Sequence, residues 1–293
     1  MSPGHLFLFG YGYVGSALAR LLVREGWRVS ATTRSTDKMS ALRADKVEAH
    51  LFGPGGLRDP EYALASVTHI LCTAAPAEQG DPALLAHGDM LRSRPPQNLR
   101  WLGYVSTTGV YGDAGGAWVD ETAPLAPVHE RGRRRVAAEQ AWAELGEWTG
   151  AAVCVFRLPG IYGPGRSAFD ALRAGTAKRL VKPGQVFSRV HVDDAAAAMA
   201  ASLPRSDGLI VNLADDTPAP PQDVVTYAAE LMGVAPPPEE PYAAAEARLS
   251  PMAREFYGAS RRISNALMKV ELGVRPRYPS YREGLRAILA GTH

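Results

Sequence analysis

The chain has 293 residues, of which 46% are hydrophobic, and a formal net charge of +2 at pH 7. That length suits a nucleotide-binding domain with a smaller lobe, and the charge is too small to indicate nucleic acid or a membrane surface as a partner. Two cysteines, Cys72 and Cys154, are too few for a disulfide framework and lie in apolar runs, so we expect buried thiols. Without a secretory signal, a membrane-length apolar run or a metal-binding motif, the sequence predicts a cytoplasmic protein that holds no metal.

Short apolar runs alternate with helix-length segments over residues 1–162, which we expect to form the first domain. This alternation predicts an α/β fold, with right-handed units that build a Rossmann doubly wound parallel sheet. Ligands bind such a sheet at the carboxyl ends of its strands, so residues that follow strands are the first candidates for a site. The predicted strands are His5–Gly10, Arg28–Thr33, Val47–Phe52, Thr68–Ala74, Leu99–Ser106 and Ala151–Leu158. The predicted helices between them are Val14–Glu25, Asp37–Arg43, Pro82–Arg92 and Glu130–Leu145.

The pattern changes at about Gly163, where segments become shorter and richer in Pro and Gly. Residues 163–293 are therefore predicted to form a smaller C-terminal α/β substrate lobe, with segments that interleave with the first domain. Its proline-rich run at 236–241 is predicted to be a surface loop. Strands are predicted at Val186–Val192 and Leu209–Ala214, and helices at Asp194–Leu203, Pro221–Met232 and Tyr281–Leu289.

A glycine-rich turn follows the first predicted strand and opens the first predicted helix. Gly10, Gly12 and Gly15 fit the pattern G-x-G-x-x-G, in the strand–turn–helix context that makes this pattern specific for a dinucleotide. The unpaired N–H groups and the positive dipole end of the helix suit the pyrophosphate. The predicted cofactor site here comprises Gly10, Gly12, Tyr13, Val14 and Gly15.

The end of the second predicted strand distinguishes NADP from NAD. An NAD site places an acid there to hold the ribose 2′-hydroxyl, whereas this chain has Thr33, Arg34 and Ser35. A planar guanidinium suits a 2′-phosphate, so we predict that NADP(H) is favoured over NAD(H); the alternative is that Arg34 is a solvated loop cation. Ala74 and Ala75, at the end of the fourth strand, are also assigned to the cofactor site.

Four further segments carry recognisable motifs, in this order along the chain: 104–113 (YVSTTGVYGD), 156–165 (FRLPGIYGPG), 190–195 (VHVDDA) and 211–216 (VNLADD). Together they resemble the short-chain dehydrogenase/reductase superfamily in its extended, NAD(P)-dependent epimerase/dehydratase-like form. The resemblance implies that Thr107 polarises a substrate oxygen and that Pro159, Gly160 and Ile161 pack by the nicotinamide. The chain is identified as an atypical member, since its departures lie at the catalytic positions.

The main departure concerns the Tyr-x-x-x-Lys pair of this superfamily, whose positions hold Arg131 and Arg135. Arg135 can still hydrogen-bond a ribose, but a guanidinium does not exchange protons near neutral pH, so the usual proton relay is missing. Alternatively, the adjacent Arg133, Arg134 and Arg135 form a solvated helix face. Phe187 stands where related nucleotide-sugar enzymes have an arginine that binds a diphosphate. A nucleotide sugar is therefore a less favoured substrate.

The candidates for the missing acid or base are Tyr111, with the same ambiguity at Tyr162, and Asp81 or Asp89. Tyr111 lies in the Val-Tyr-Gly turn, where the tyrosine is often structural, and Asp81 precedes the fourth helix, where it is either a base or a helix cap. His191 is expected to be structural. The catalytic residues are therefore predicted to be Thr107, Tyr111 and Asp81.

Two functions from different classes remain open. The first is an NADP-dependent oxidoreductase or epimerase-like enzyme acting on an unidentified small molecule, as a monomer or homodimer. The second is a non-catalytic NADP(H)-sensing or regulatory binding protein, which the arginines at positions 131 and 135 favour.

Overall fold

The computed structural model describes residues 3–291, in which strands and helices alternate along the chain. The strands are β1 His5–Phe9, β2 Arg28–Thr33, β3 Glu48–Gly53, β4 Gly56–Leu57, β5 His69–Cys72, β6 Trp101–Thr107, β7 Trp118–Val119, β8 Ala152–Leu158, β9 Gly160–Tyr162, β10 Arg179–Val181, β11 Arg189–His191, β12 Leu209–Asn212, β13 Glu239–Pro241 and β14 Arg262–Ile263. The helices are α1 Tyr13–Arg24, α2 Met39–Ala44, α3 Pro60–Leu64, α4 Pro82–Ser93, α5 Glu130–Thr149, α6 Ala168–Arg173, α7 Val192–Ser202, α8 Pro221–Leu231, α9 Tyr242–Ala245, α10 Pro251–Tyr257, α11 Ala266–Glu271 and α12 Tyr281–Ala290.

The central sheet has eight strands in the order β12-β8-β6-β5-β1-β2-β3-β4. Strand β1 pairs in parallel with β2 and β5, and β5 pairs in parallel with β6, whereas the short β4 is antiparallel to β3. All five residues of β1 are buried, as expected for a strand covered by helices on both faces. The predicted Rossmann doubly wound sheet is confirmed, and its order changes direction at β1.

The chain divides into two compact units that alternate along the sequence. The first unit comprises the chain up to Thr107 together with 130–157 and 196–211, and the second comprises 108–129, 158–195 and the chain from Asn212.

Each unit has its own apolar core. That of the first unit includes Phe7, Phe9, Tyr104 and Trp142, which are at most 2% exposed. One core cluster of the second unit joins Phe169 and Ala228 with two residues of α12, Tyr281 and Leu285. Cys72 and Cys154 are buried and free, as predicted. No helix within residues 3–291 is both long and apolar enough to cross a membrane.

The predicted loop at 236–241 needs a correction. Its last three residues form β13, which pairs in parallel with β10 at Arg179–Val181. A parallel partner so far away in the chain leaves no local signal, and prolines usually indicate a loop. The strand predicted at Val186–Val192 is likewise shorter, because only Arg189–His191 pairs with β9 and helix α7 begins at the next residue.

Candidate functional site

Two threonines hold the glycine-rich turn of the first unit. The Gly10 N–H donates to Thr32 Oγ1 at 2.8 Å, and Thr73 Oγ1 donates to the Gly10 carbonyl at 2.9 Å. Gly10 has φ +100, a backbone conformation that residues with a Cβ rarely adopt. The Tyr11 N–H donates to the Thr32 carbonyl at 3.1 Å, so the turn is fixed from both neighbouring strands.

The N-terminus of α1 is open in front of this turn. Gly12 is the N-cap, no side chain caps the helix, and its first turn contains no acid. A Cβ added to Gly12 would meet no heavy atom within 4 Å, whereas one added to Gly15 would lie 2.9 Å from the Gly10 carbonyl oxygen. An uncapped helix N-terminus with room beside a glycine fits the pyrophosphate of a dinucleotide.

A contact that the sequence does not predict fixes Tyr11, the second residue of the turn. The Tyr11 hydroxyl donates to Asp45 Oδ2 at 2.5 Å, and Arg20 Nη1 lies 3.3 Å from the same oxygen. Burial and the carboxylate raise the pKa of Tyr11, which keeps the hydroxyl protonated as a donor. Asp45 directly follows α2 and is 34 residues from Tyr11, so no sequence pattern connects the two.

The end of β2 presents a cation. Thr33 is buried and its Oγ1 accepts the Ser35 N–H at 3.2 Å, while Arg34 is exposed. Within residues 3–291, the Arg34 guanidinium makes no hydrogen bond or ion pair with another residue. It is therefore available to an anion bound at the end of this strand.

The carboxyl ends of β5 and β6 carry further predicted residues. Ala74 is half-buried and Ala75 is exposed, both directly after the strand–turn boundary at Thr73. Thr107 is the last residue of β6 and is half-buried. In a parallel sheet these positions lie at the edge where ligands bind.

Of the three adjacent arginines on α5, one turns inward. Arg135 Nη1 donates to the Val105 carbonyl at 2.6 Å and to the Tyr104 hydroxyl at 3.1 Å. Arg133 and Arg134 instead bond the exposed Glu130, at 2.9 and 3.3 Å. Arg133 and Arg134 therefore belong to a solvated helix face, as the alternative interpretation expected, whereas Arg135 does not.

The Arg131 side chain, which is predicted to occupy the position of the superfamily's tyrosine, is exposed. It has neither a hydrogen-bond nor an ion-pair partner among the described residues.

One turn after Arg135, α5 contributes a buried acid. The Glu139 carboxylate accepts hydrogen bonds from Ser106 Oγ and from the Arg157 guanidinium, whose Nη2 lies 2.7 Å from Oε2. All three residues are at most 6% exposed. The charge of Arg157 is thereby compensated, and α5 is tied to β6 and β8.

The Asp81 carboxylate forms a helix cap. Its Oδ1 accepts the N–H groups of Ala83 and Leu84 at 2.9 and 3.2 Å, at the start of α4. Its Oδ2 accepts the Cys72 thiol at 3.3 Å, and burial together with this carboxylate raises the pKa of Cys72. Of the two roles considered for Asp81, base or helix cap, its contacts are those of a helix cap.

Tyr111 belongs to the second unit and is 4% exposed. Its hydroxyl donates to Asn212 Oδ1 at 2.8 Å, and the Asn212 N–H donates to Glu121 Oε1 at 2.7 Å. This bond joins the turn after β6 to the end of β12, which is a structural contact.

The remaining predicted residues of the second unit lie on and before β9. Pro159 and Ile161 are half-buried and Gly160 is exposed at the start of the strand. His191, on the paired strand β11, is 0% exposed and packs between the rings of Tyr162 and Tyr278, with centroids 5.2 and 4.2 Å away. A histidine packed between aromatic rings is consistent with the structural role predicted for it.

The sheet order, the glycine turn and the uncapped helix define a Rossmann-type dinucleotide-binding protein. The model of the NAD dependent epimerase/dehydratase family matches residues 9–214, and the chain belongs to this family. The predicted resemblance to extended short-chain dehydrogenases/reductases is thereby confirmed. The family binds NAD(P) and acts on small-molecule substrates.

Three similar proteins extend this comparison. A functionally unknown conserved protein from Silicibacter pomeroyi DSS is 48% identical, with a TM-score of 0.90 over 98% of this chain and 99% of that one. The 3-diazoavenalumate denitrifying reductase of a Streptomyces species is 29% identical, over 94% of this chain and 96% of the relative. The UDP-glucose 4-epimerase of Thermus thermophilus, solved in complex with NAD, is 21% identical, with a TM-score of 0.77 over 98% of both chains. The last of these shows a shared fold.

Proposed function

We propose that the chain is an NADP(H)-dependent oxidoreductase or epimerase-like enzyme that acts on a small molecule. The observation that carries the choice of cofactor is Arg34, an exposed cation with no partner among the described residues, at the strand end where an NAD site has an acid. The likeness to a reductase over 94% of this chain supports hydride chemistry.

The first unit supplies most of the groups that would hold the cofactor. The glycine turn and the N-terminus of α1 bind the pyrophosphate, and Arg34 binds the 2′-phosphate with Thr33 and Ser35 beside it. Arg135, held by Tyr104 and Val105, donates to the nicotinamide ribose. The contacts that the family resemblance implies for Pro159, Gly160 and Ile161 are part of the same proposal. A bound nicotinamide supplies a hydride donor or acceptor.

Thr107 is the proposed catalytic residue of this chain, because its hydroxyl can donate to a substrate oxygen on which negative charge develops. Tyr111 and Asp81 act as positioning residues in this proposal, since Asn212 and helix α4 already engage their polar atoms. The proton that completes a carbonyl reduction then comes from water.

The test is a calorimetric titration of the protein with NAD, NADH, NADP and NADPH. We expect the 2′-phosphorylated forms to bind at least about tenfold more tightly, which corresponds to about 1.4 kcal/mol, and Arg34→Ala to remove that preference. Arg43→Ala is the matched control, because Arg43 is an exposed arginine of the neighbouring α2. Equal binding of all four forms, or an equal effect of both variants, would overturn the assignment to Arg34.

The sensing function remains a second candidate, favoured by the exposed Arg131 at the position of the superfamily's proton donor. It predicts tight binding that distinguishes NADP from NADPH without oxidation of NADPH by any carbonyl compound. Turnover of NADPH that Thr107→Ala abolishes, with cofactor affinity unchanged, would exclude it and support the enzyme.

A further inference from the structure

A cavity of about 290 Å³ lies within the second unit, among β9, α6, β11, α8 and α12. Its volume lies just below the roughly 300–1,000 Å³ that is usual for small-molecule sites. A single ring with one substituent is a suitable size for such a space. None of the residues predicted as catalytic or cofactor-binding lines it.

Arg189 provides the polar wall of this cavity. Its Nη1 donates to the carbonyls of Phe187 and Ala219 at 2.9 and 3.1 Å, which uses both hydrogens of that nitrogen. The Nε and Nη2 atoms carry three further donors, which bond no acceptor within residues 3–291. Neither nitrogen belongs to the fully buried atoms that lack a partner, and the Arg189 side chain lines the cavity.

The Arg189 guanidinium has no carboxylate within 4.0 Å in the part of the chain that the structure describes. The nearby Asp215 is 1% exposed, and burial raises its pKa to about 8, which favours its neutral form. A largely buried cation without a counter-charge is costly. An anion in the cavity would therefore be strongly favoured.

Two other charged residues, Arg166 and Asp170, line the cavity. Asp170 Oδ2 already accepts the Ser167 N–H and hydroxyl, both at 2.7 Å, at the start of α6. Two guanidinium groups thus face a single carboxylate that is engaged in capping a helix.

Other lining residues of the cavity are apolar and aromatic. Tyr162 and Tyr281 are at most 9% exposed and line the cavity with Val224 and Leu285. The Tyr162 hydroxyl donates to the Ser280 carbonyl at 3.3 Å, so the tyrosine presents its ring rather than a free hydroxyl. This wall suits the apolar body of a ligand.

We propose that this cavity binds a small carboxylic acid with an aromatic or other apolar body, with its carboxylate on Nε and Nη2 of Arg189. The parallel N–H groups of that edge match the two oxygens of a carboxylate. The site is independent of the dinucleotide and would bind its ligand whether or not the chain is an enzyme.

The experiment is a titration of the full chain without dinucleotide, followed by calorimetry or by ligand-observed NMR. The probes are benzoate, its neutral isostere benzamide, phenyl phosphate and inorganic phosphate. Arg189→Gln removes the charge, while its amide can still donate to the two carbonyls. Arg173→Gln is the matched control, because Arg173 is an exposed arginine of α6 that does not line the cavity.

We expect benzoate to bind at least tenfold more tightly than benzamide, Arg189→Gln to weaken benzoate at least tenfold, and Arg173→Gln to change it less than twofold. If Arg189→Gln does not fold, Val224→Phe tests the same site by filling it and should weaken benzoate by a similar factor. NADPH titrated into the same proteins shows separately whether the dinucleotide site is intact.

Equal binding of benzoate and benzamide would overturn the proposal, as would equal losses in the two arginine variants or no saturable binding of benzoate. If phenyl phosphate or inorganic phosphate binds more tightly than benzoate, the assignment of the ligand's anionic group as a carboxylate is wrong and the group is a phosphate. NADPH binding without benzoate binding contradicts this inference and leaves the proposed function standing, while the reverse result contradicts the proposed function alone.

Discussion

Each unit contains a largely buried arginine, and the two have different surroundings. In the first unit, Arg157 is 3% exposed and meets the Glu139 carboxylate, which also accepts Ser106. In the second unit, Arg189 has two carbonyl partners, and burial raises the pKa of the nearby Asp215 to about 8. A compensated buried cation holds elements together, whereas an uncompensated one is a site for an anion.

The candidate site residues also divide into those whose polar atoms have partners in the chain and those whose polar atoms have none. Asp81 and Tyr111 looked chemically active in the sequence, but both have their polar atoms engaged in structural bonds. Arg34 and Arg189 keep guanidinium donors that no described residue accepts. Available donors, rather than residue type, indicate where ligands bind.

The largest predicted effect is the change with pH in the stability of the second unit. Asp215 has a pKa of about 8 in the folded chain, against about 3.9 when unfolded. Between these values the folded chain holds a proton that the unfolded chain has released, so the free energy of unfolding decreases as pH rises through this window. Asp215→Asn mimics the protonated acid and should remove a pH dependence on the order of 5 kcal/mol.

Denaturant unfolding of wild type and Asp215→Asn from pH 4 to pH 9 measures this effect. The variant should gain stability relative to wild type as pH rises, and the difference should level off above about pH 8. A constant difference across that range would show that Asp215 is ionised throughout, and Arg189 would then have a counter-charge.

The next effect concerns the compensated arginine. Glu139→Gln leaves the Arg157 cation buried without a counter-charge, and breaking a buried pair in this way costs about 3–5 kcal/mol. The measurement is the free energy of unfolding in urea. Glu130→Gln on the same helix is the matched control, since its pairs with Arg133 and Arg134 are exposed to solvent and their loss should cost much less than that of the buried pair. Similar losses in both variants would contradict the assignment.

Acid should destabilise the first unit, whereas the protonation of Asp215 by acid stabilises the second unit. His69 is 0% exposed, its Nε2 lies 3.1 Å from the Leu203 carbonyl, and burial lowers its pKa to about 4. Between about pH 6.5 and pH 4 the unfolded chain binds the proton that the folded chain excludes, so stability falls as pH decreases. The expected loss is on the order of 2–3 kcal/mol.

His69→Gln retains a donor for the Leu203 carbonyl and has no titrating ring. Its free energy of unfolding should lose less than that of wild type between pH 7 and pH 4. Hydrogen exchange resolved by peptide should locate the acid effect in β5 and its neighbours. An acid response confined to the second unit would contradict this role of His69.

The sequence predicted most of the sheet and the glycine turn because both signals are local. Apolar runs of strand length and the spacing of Gly10, Gly12 and Gly15 can be read without knowing the fold. The pairing of β13 with β10 could not be predicted, since two segments about 60 residues apart meet there and one contains proline.

The site was predicted less completely, because burial and partners decide what a side chain does. Thr32, Thr73 and Asp45 fix the glycine turn through contacts between separate segments. The inward turn of Arg135 had a usable signal, as Glu139 lies one helical turn further on the same face of α5. No sequence signal indicated that Nε and Nη2 of Arg189 would lack an acceptor, because this depends on which carbonyls meet its Nη1 atom.

The smallest effect separates binding from folding within the glycine turn. Gly12→Ala places a methyl group where no heavy atom lies within 4 Å, at φ −90, so the free energy of unfolding should change by less than about 1 kcal/mol. The methyl group would stand in front of α1, where the pyrophosphate approaches, and should weaken NADPH at least about tenfold, or about 1.4 kcal/mol.

Gly15→Ala is the matched comparison, since its methyl group would lie 2.9 Å from the Gly10 carbonyl oxygen and 3.5 Å from the Thr73 hydroxyl. This variant should lower the free energy of unfolding itself, because the turn or the helix must shift. Calorimetry with NADPH and urea unfolding on both variants give the two readouts. If Gly12→Ala binds NADPH as wild type does, the space in front of Gly12 is not the pyrophosphate site, and the turn serves only the packing of α1 on the sheet.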